Sequence, residues 1–328
     1  MGYCWFRYVP HYRSELLNQR SKIKPSFFFH PLLFILATEN RKLLKLIRPL
    51  NLLLVALTFA FGASLADYLG KPFRADSFWL GFVMTLLLQI TMNLLPEVYR
   101  PQNEPLLENE TRTDKLKLRN NALYISMASL ASIAVIAYIL FNTKHLSLIS
   151  FLFLAFSLAL ILIYSTPPFR LINSGFGELL LAIQIAYIFP TFAFTLQAEN
   201  THPFLALTIP LTFLAFAYFI VLDFQAFAQD EKYNRVTFLT RLGWERVVPL
   251  HHVFVLFAYI FLLGMPAFGL SLTLIWSAFL TLPFALFQIN QLRNISLGVP
   301  PNWLLLNVTA LVVFGLTTYF LTLTFWLR

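Results

Sequence analysis

Charged side chains and cysteine are both scarce in this chain, and each scarcity excludes something. Only 12% of the 328 residues are Asp, Glu, Lys or Arg, against 58% that are hydrophobic, and the mean hydropathy is +0.70. Soluble domains carry about a quarter charged residues, so a soluble globule is excluded, and the regular spacing of the apolar runs excludes disorder. The single Cys4 can form no internal disulfide and belongs to no CxxC or Cys/His cluster, which removes both a disulfide scaffold and a thiolate metal site. The six histidines are scattered, and the adjacent His251 and His252 lack the HExxH spacing of a zinc helix. Charge is also missing from the middle of every long apolar run, where a proton or ion relay through a membrane would need it.

What the chain does have is long apolar runs. Runs long enough to cross a bilayer fall at 49–69, 77–96, 121–142, 146–165, 177–197, 203–226, 247–268, 271–291 and 302–327. The expected fold is therefore all-α: a polytopic membrane protein whose nine transmembrane helices form a bundle of two pseudo-symmetric halves. Between the seventh and eighth spans only Pro266 and Gly269 punctuate a continuous apolar stretch. Ahead of the bundle domain, 48–328, lies a basic segment, 1–47. Its one apolar run, 27–37, is too short to span and lacks the pattern of a cleaved leader, so the segment is expected to be cytoplasmic and interfacial.

The net charge of +9 has two possible meanings, nucleic acid or topology, and the placement of the cations decides between them. Nine spans put the amino end and every second connection on one side, and twenty of the 24 Lys and Arg fall there. That is the positive-inside pattern. It makes the first side cytoplasmic, leaves the carboxyl end outside, and removes the case for nucleic acid. The long polar connections, 97–120 and 230–245, are on the cytoplasmic side too, so the functional site is expected there.

Two polar stretches stand at cytoplasmic helix ends. In VLDFQAFAQDEKYNRVTFLTRLG, from Val221 to Gly243, Asp223 and Asp230 are seven apart, which places both carboxylates on one helix face about 10 Å apart. In MNLLPEVYRPQNEP, Asn93 and Glu97 are four apart and again share a face. The recurrence, four helices on, suggests an internal repeat with a binding site at the junction of its halves. Magnesium is held by one or two carboxylates plus substrate phosphates. A diphosphate bridged by Mg2+ to both helix ends fits, with Arg100, Arg170, Lys232 and Arg235 able to neutralise the remaining phosphate charge. The 36 Phe offer wall for an apolar tail, although most are expected to serve packing and lipid contact.

These pieces resemble a known family. Arg48-Pro49 with Asn51-Leu52-Leu53 opens the first span; Asn93 and Glu97 stand in the place of an NDxxD motif; Tyr164-Ser165-Thr166-Pro167-Pro168-Phe169-Arg170 is followed by Gly175-Phe176-Gly177-Glu178; and Asp223 through Asp230 is followed by Thr237 and Arg241-Leu242-Gly243. From Arg48 onward the chain is similar to the UbiA-type intramembrane prenyltransferases, nine-helix proteins whose Asp-rich motifs after helices two and six hold magnesium diphosphate. The first motif departs from the pattern, with Leu94 where an Asp is usual and Pro101 where a third would be.

The resemblance implies Mg2+-dependent transfer of an isoprenoid chain from a prenyl diphosphate to a hydrophobic acceptor, an aromatic quinone precursor or a lipid, within the membrane. It implies Asp223 and Asp230 as catalytic residues, with Asn93 and Glu97 completing the metal ligands. Arg170, Lys232 and Arg100 are assigned to the diphosphate, and Tyr164 to orienting the diphosphate or the acceptor. A member with weakened catalysis that binds isoprenoid lipids or partners remains the alternative, motivated by Leu94 and Pro101. An unrelated transporter is disfavoured by the missing mid-membrane charge.

Overall fold

Pro49 opens the first long helix at the one position where its missing N–H costs nothing, directly after Arg48, whose backbone is left-handed (φ 55°). The computed structural model describes residues 42–107 and 111–328. The interfacial run expected at 27–37 lies outside the described residues. Leu46–Arg328 forms one compact unit. Among the described residues there is no strand, and nine helices are long and apolar enough to cross a membrane. They are α1 (Pro49–Tyr68), α2 (Ala75–Val98), α3 (Arg112–Asn142), α4 (Leu148–Ser165), α5 (Gly177–Ala198), α6 (Thr208–Lys232), α7 (Trp244–Leu263), α8 (Leu272–Ser296) and α9 (Trp303–Trp326).

The number and order of spans match the apolar runs, while several ends move for local reasons. α3 begins nine residues earlier than its apolar run because Thr111 and Asp114 form a capping box that starts the helix in polar sequence. α6 runs on to Lys232, so Asp230 belongs to the same helix as Asp223. α7 stops at Leu263 instead of 268, since Gly264 and Pro266 turn the chain into a short 3-10 segment, Met265–Phe268. The seventh and eighth spans are thus separate helices.

α5 sits deepest. Of its most apolar 18-residue window 78% is buried in the bundle, against 22% for α3, which faces outward along much of its length. Pro190 has no N–H for the carbonyl four residues back, and the turn before it widens: Gln184–Ile188 winds as a π-turn and Phe189 N–H reaches the Gln184 carbonyl. This bulged part meets α1 almost backbone to backbone. A Cβ on Gly62 would stand 1.9 Å from the Pro190 carbonyl oxygen, so only glycine fits there. α1 therefore packs between α5 and α9, with α6 joined to α7 and α9, and α2 to α3.

Candidate functional site

The end of α6 supplies both acids expected on one face. Asp223 and Asp230 line a cavity of about 240 Å³ with Arg48 just ahead of α1, Asn51 of α1, Tyr164 of α4, Glu178 of α5, and Arg235 and Thr237 from the loop after α6. Asp230 is buried and accepts a hydrogen bond from Arg235 Nη1 at 3.1 Å. One oxygen of Asp223, Oδ2, is shielded from solvent with no N–H or hydroxyl donor facing it, and the Asp223 carboxyl group is in hydrogen-bond contact with that of Glu178. A larger cavity of about 490 Å³ lies beside the start of α3, but among the described residues its charged lining is Arg112, Lys115 and Arg119, with no acid.

Two stretches that stand out in the sequence prove to be each other's partners. Arg241 Nη1 donates to the Ser174 carbonyl at 2.7 Å, and its guanidinium lies 4.8 Å from the Phe176 ring centre. Gly175 N–H donates to the Val236 carbonyl at 2.8 Å. Its φ of +78° and a Cβ position 2.7 Å from Arg241 Cδ both require glycine. Glu178 Oε2 accepts from Phe238 N–H at 3.3 Å, and Thr237 caps the short helix Phe238–Leu242 reciprocally with Thr240. The loop after α4, which contains a cis Pro167–Pro168 bond, is thereby fastened to the loop after α6, and Tyr164 and Glu178 line one cavity with Asp223.

The end of α2 reaches the site through alternating charges. Arg48 Nη2 lies 3.9 Å from Glu97 Oε1, and Arg100 Nε 2.6 Å from Glu97 Oε2. Arg100 Nη1 is 3.4 Å from Glu104 Oε1, which is also 2.6 Å from Arg235 Nε, and Arg235 completes the series on Asp230. Burial pulls the Arg100 guanidinium below its ordinary value, against the pull of Glu97 and Glu104. Burial also lowers Arg170. In Arg235 the same burial is outweighed by Glu104, Asp230 and Glu97, which hold it above the ordinary arginine value.

Of the expected site residues, Asp223, Asp230 and Tyr164 line the cavity directly. Glu97 and Arg100 stand behind it, paired with each other. The amide of Asn93 is engaged at both ends, donating to the Ile47 carbonyl at 2.7 Å and accepting from Gln89 Nε2 at 2.9 Å. Arg170 has a buried Nε without a partner. Lys232 is exposed, with its ammonium 5.4 Å from the Tyr233 ring centre, and does not line the cavity. Glu104 and Glu178 were not singled out as site residues, although each stands in a quoted stretch, Glu104 in MNLLPEVYRPQNEP and Glu178 in Gly175-Phe176-Gly177-Glu178.

The acids test the fit of a metal. Among the described residues no group of three or more His, Cys, Asp or Glu side chains is placed to hold one. A divalent ion needing one or two carboxylates and completing its shell with phosphate oxygens nonetheless fits Asp223, whose Oδ2 faces no N–H or hydroxyl donor, and Asp230.

A sequence model described as the UbiA prenyltransferase family matches residues 55–297. The chain belongs to this family. Among solved structures it is similar to a UbiA homologue from Archaeoglobus fulgidus bound to Cd2+, with a TM-score of 0.54 and 16% identity over 85% of this chain and 99% of that one. A UbiA homologue from the same organism bound to GPP and Mg2+ aligns with a TM-score of 0.48 and 15% identity, over the same shares. At 16% identity the first likeness bears on the UbiA fold and leaves the chemistry to the site itself. No curated protein matches the chain in sequence.

Proposed function

We propose that this UbiA-family chain transfers an isoprenoid chain from a prenyl diphosphate to a hydrophobic acceptor, with Mg2+, at the cytoplasmic end of the bundle. The observation that carries this reading is the joint placement of Asp223 and Asp230 in one cavity with Arg48, Arg235 and Tyr164. Carboxylates and guanidiniums facing the same space suit a diphosphate with its cation better than either charge alone. About 240 Å³ is small for a whole ligand and suits a diphosphate with the first carbons of its chain. One to two turns deeper on α1, Leu54 and Leu57 border an apolar groove of about 310 Å³ shared with Leu311, Gly315 and Tyr319 of α9, a surface suited to the rest of the tail.

Asp223 and Asp230 would hold the metal, and Arg48 and Arg235 would take phosphate charge as the allylic carbon–oxygen bond breaks. Magnesium bound there would neutralise charge on the departing diphosphate. Tyr164, buried beside Gly177, would orient the reacting end, and the apolar wall of Phe219 and Leu222 would keep water from the allylic cation before the acceptor captures it. The acceptor class is an aromatic quinone precursor or a lipid.

The second reading, an isoprenoid-binding member with weak catalysis, is favoured by one observation: Glu97 and Asp230 each carry a guanidinium partner. The two are separated by incubating purified protein with labelled geranylgeranyl diphosphate, Mg2+ and a panel of acceptors. Mg2+-dependent appearance of a labelled product supports transfer; binding of the diphosphate without any product supports the second reading.

A further inference from the structure

Glu104 is buried to 3% exposure although it sits in a loop, and the loop is built to hold it. Arg100 Nη1 lies 3.4 Å from its carboxylate and donates to the Pro105 carbonyl at 2.9 Å. From α3 the Lys115 ammonium donates to the carbonyls of Pro101, Gln102 and Glu104 at 3.1, 2.8 and 2.5 Å. The backbone on either side of Glu104 is thus pinned independently of Arg235.

Arg235 is fixed from the other side. Its N–H donates to the Asp230 carbonyl at 2.9 Å, and its own carbonyl accepts from the Thr240 hydroxyl at 2.9 Å. Between these two anchored backbones only the guanidinium spans the gap, with Nε 2.6 Å from Glu104 Oε1 and Nη1 3.1 Å from Asp230 Oδ1. Arg235 lines the cavity and Glu104 does not.

Resting on the reading of this cavity as a prenyl diphosphate site, we infer that Glu104 is a positioning residue for Arg235: it holds the guanidinium by its Nε side at the cavity rim. A planar guanidinium held this way keeps its Nη donors for another acceptor. With Asp230 given over to a cation, those donors would be free for a phosphate while Glu104 keeps the side chain at the site. Without the anchor, Asp230 alone holds the guanidinium, which is then free to turn more of its edge onto the carboxylate that the cation requires. Glu104 therefore acts on two quantities at once, the affinity for diphosphate and the concentration of Mg2+ needed.

The test measures binding of an unreactive thiolodiphosphate analogue of geranylgeranyl diphosphate to full-length protein in nanodiscs, across Mg2+ concentrations, beside steady-state turnover. Glu104→Gln is expected to weaken analogue binding about tenfold, the scale of a charge-assisted contact, and to raise the half-saturating Mg2+. KM should move more than kcat. Arg235→Lys, which keeps the charge but lacks the planar guanidinium that spans Glu104 and Asp230, should lose a similar amount, and the double variant should lose no more than either alone. A merely structural role would lower thermal stability and leave both binding curves in place, which overturns the inference, as do additive losses. If Glu104→Gln does not fold, Arg235→Lys decides alone: unchanged analogue affinity and Mg2+ requirement overturn it. Wild-type protein that binds no analogue at any Mg2+ concentration sinks the diphosphate reading itself, a different result from a wild type that binds and variants that match it.

Discussion

Arg100 and Glu97 face each other at 2.6 Å, both almost wholly buried, at the point where α2 leaves the bundle. In such a place each charge is tolerable only because of the other. Arg100→Ala, which leaves Glu97 and Glu104 short of a cation, is expected to destabilise the protein by about 3 kcal/mol or more. Thermal unfolding in detergent checks this, and a midpoint equal to wild type would show that Arg48 and Arg235 suffice.

The same pair makes the two acidic helix ends unequal. Asp230 reaches the cavity and Glu97 does not, so Asp230→Asn is expected to abolish turnover whereas Glu97→Gln only weakens it. Asp223→Asn should behave as Asp230→Asn. Product formation from labelled prenyl diphosphate checks all three; equal losses for Glu97→Gln and Asp230→Asn would show that both helix ends serve the metal alike.

Arg170 has a left-handed backbone (φ 38°) and a buried Nε without a partner, a donor awaiting an acceptor. Arg170→Ala is expected to raise KM for the prenyl diphosphate about tenfold with a smaller change in kcat, through loss of a charge-assisted contact. An unchanged KM would leave Arg170 as a loop cation only.

Gly62 and Gly70 offer a contrast in what a methyl group costs. At Gly62 the added carbon meets the Pro190 backbone at 1.9 Å, so Gly62→Ala must separate α1 from α5 and is expected to cost about 3 kcal/mol. At Gly70 nothing lies within 4 Å, and only the positive φ of 71° opposes a side chain, so Gly70→Ala should cost about 1 kcal/mol. Paired thermal melts read the difference, and equal shifts would mean that the α1–α5 contact yields.

Orientation is open to direct test. In a Cys4→Ser background, cysteines placed at the exposed positions Gln102 and Glu231 should react with an impermeant reagent only from the cytoplasmic side, and one at Asn200 only from outside. Labelling of Gln102→Cys or Glu231→Cys from outside would invert the bundle.

The sequence by itself determined the nine spans, their order and the shared face of Asp223 and Asp230, because each follows from a local rule. Bilayer thickness sets the length of an apolar run, and helical period sets which side chains align. Capping by Thr111 and the turn at Gly264–Pro266 were equally local, and the ends they moved could be read from the residues concerned. Tertiary structure alone decided which polar groups are spoken for. Nothing near Asn93 in the chain announces that its amide is tied to the Ile47 carbonyl, nor anything near Glu104 that its carboxylate meets Arg235. A helix end carries several polar groups that could each bind a ligand. Which of them stays available depends on partners brought close by packing between distant segments, because a buried charge or amide takes whatever complement the fold delivers to it.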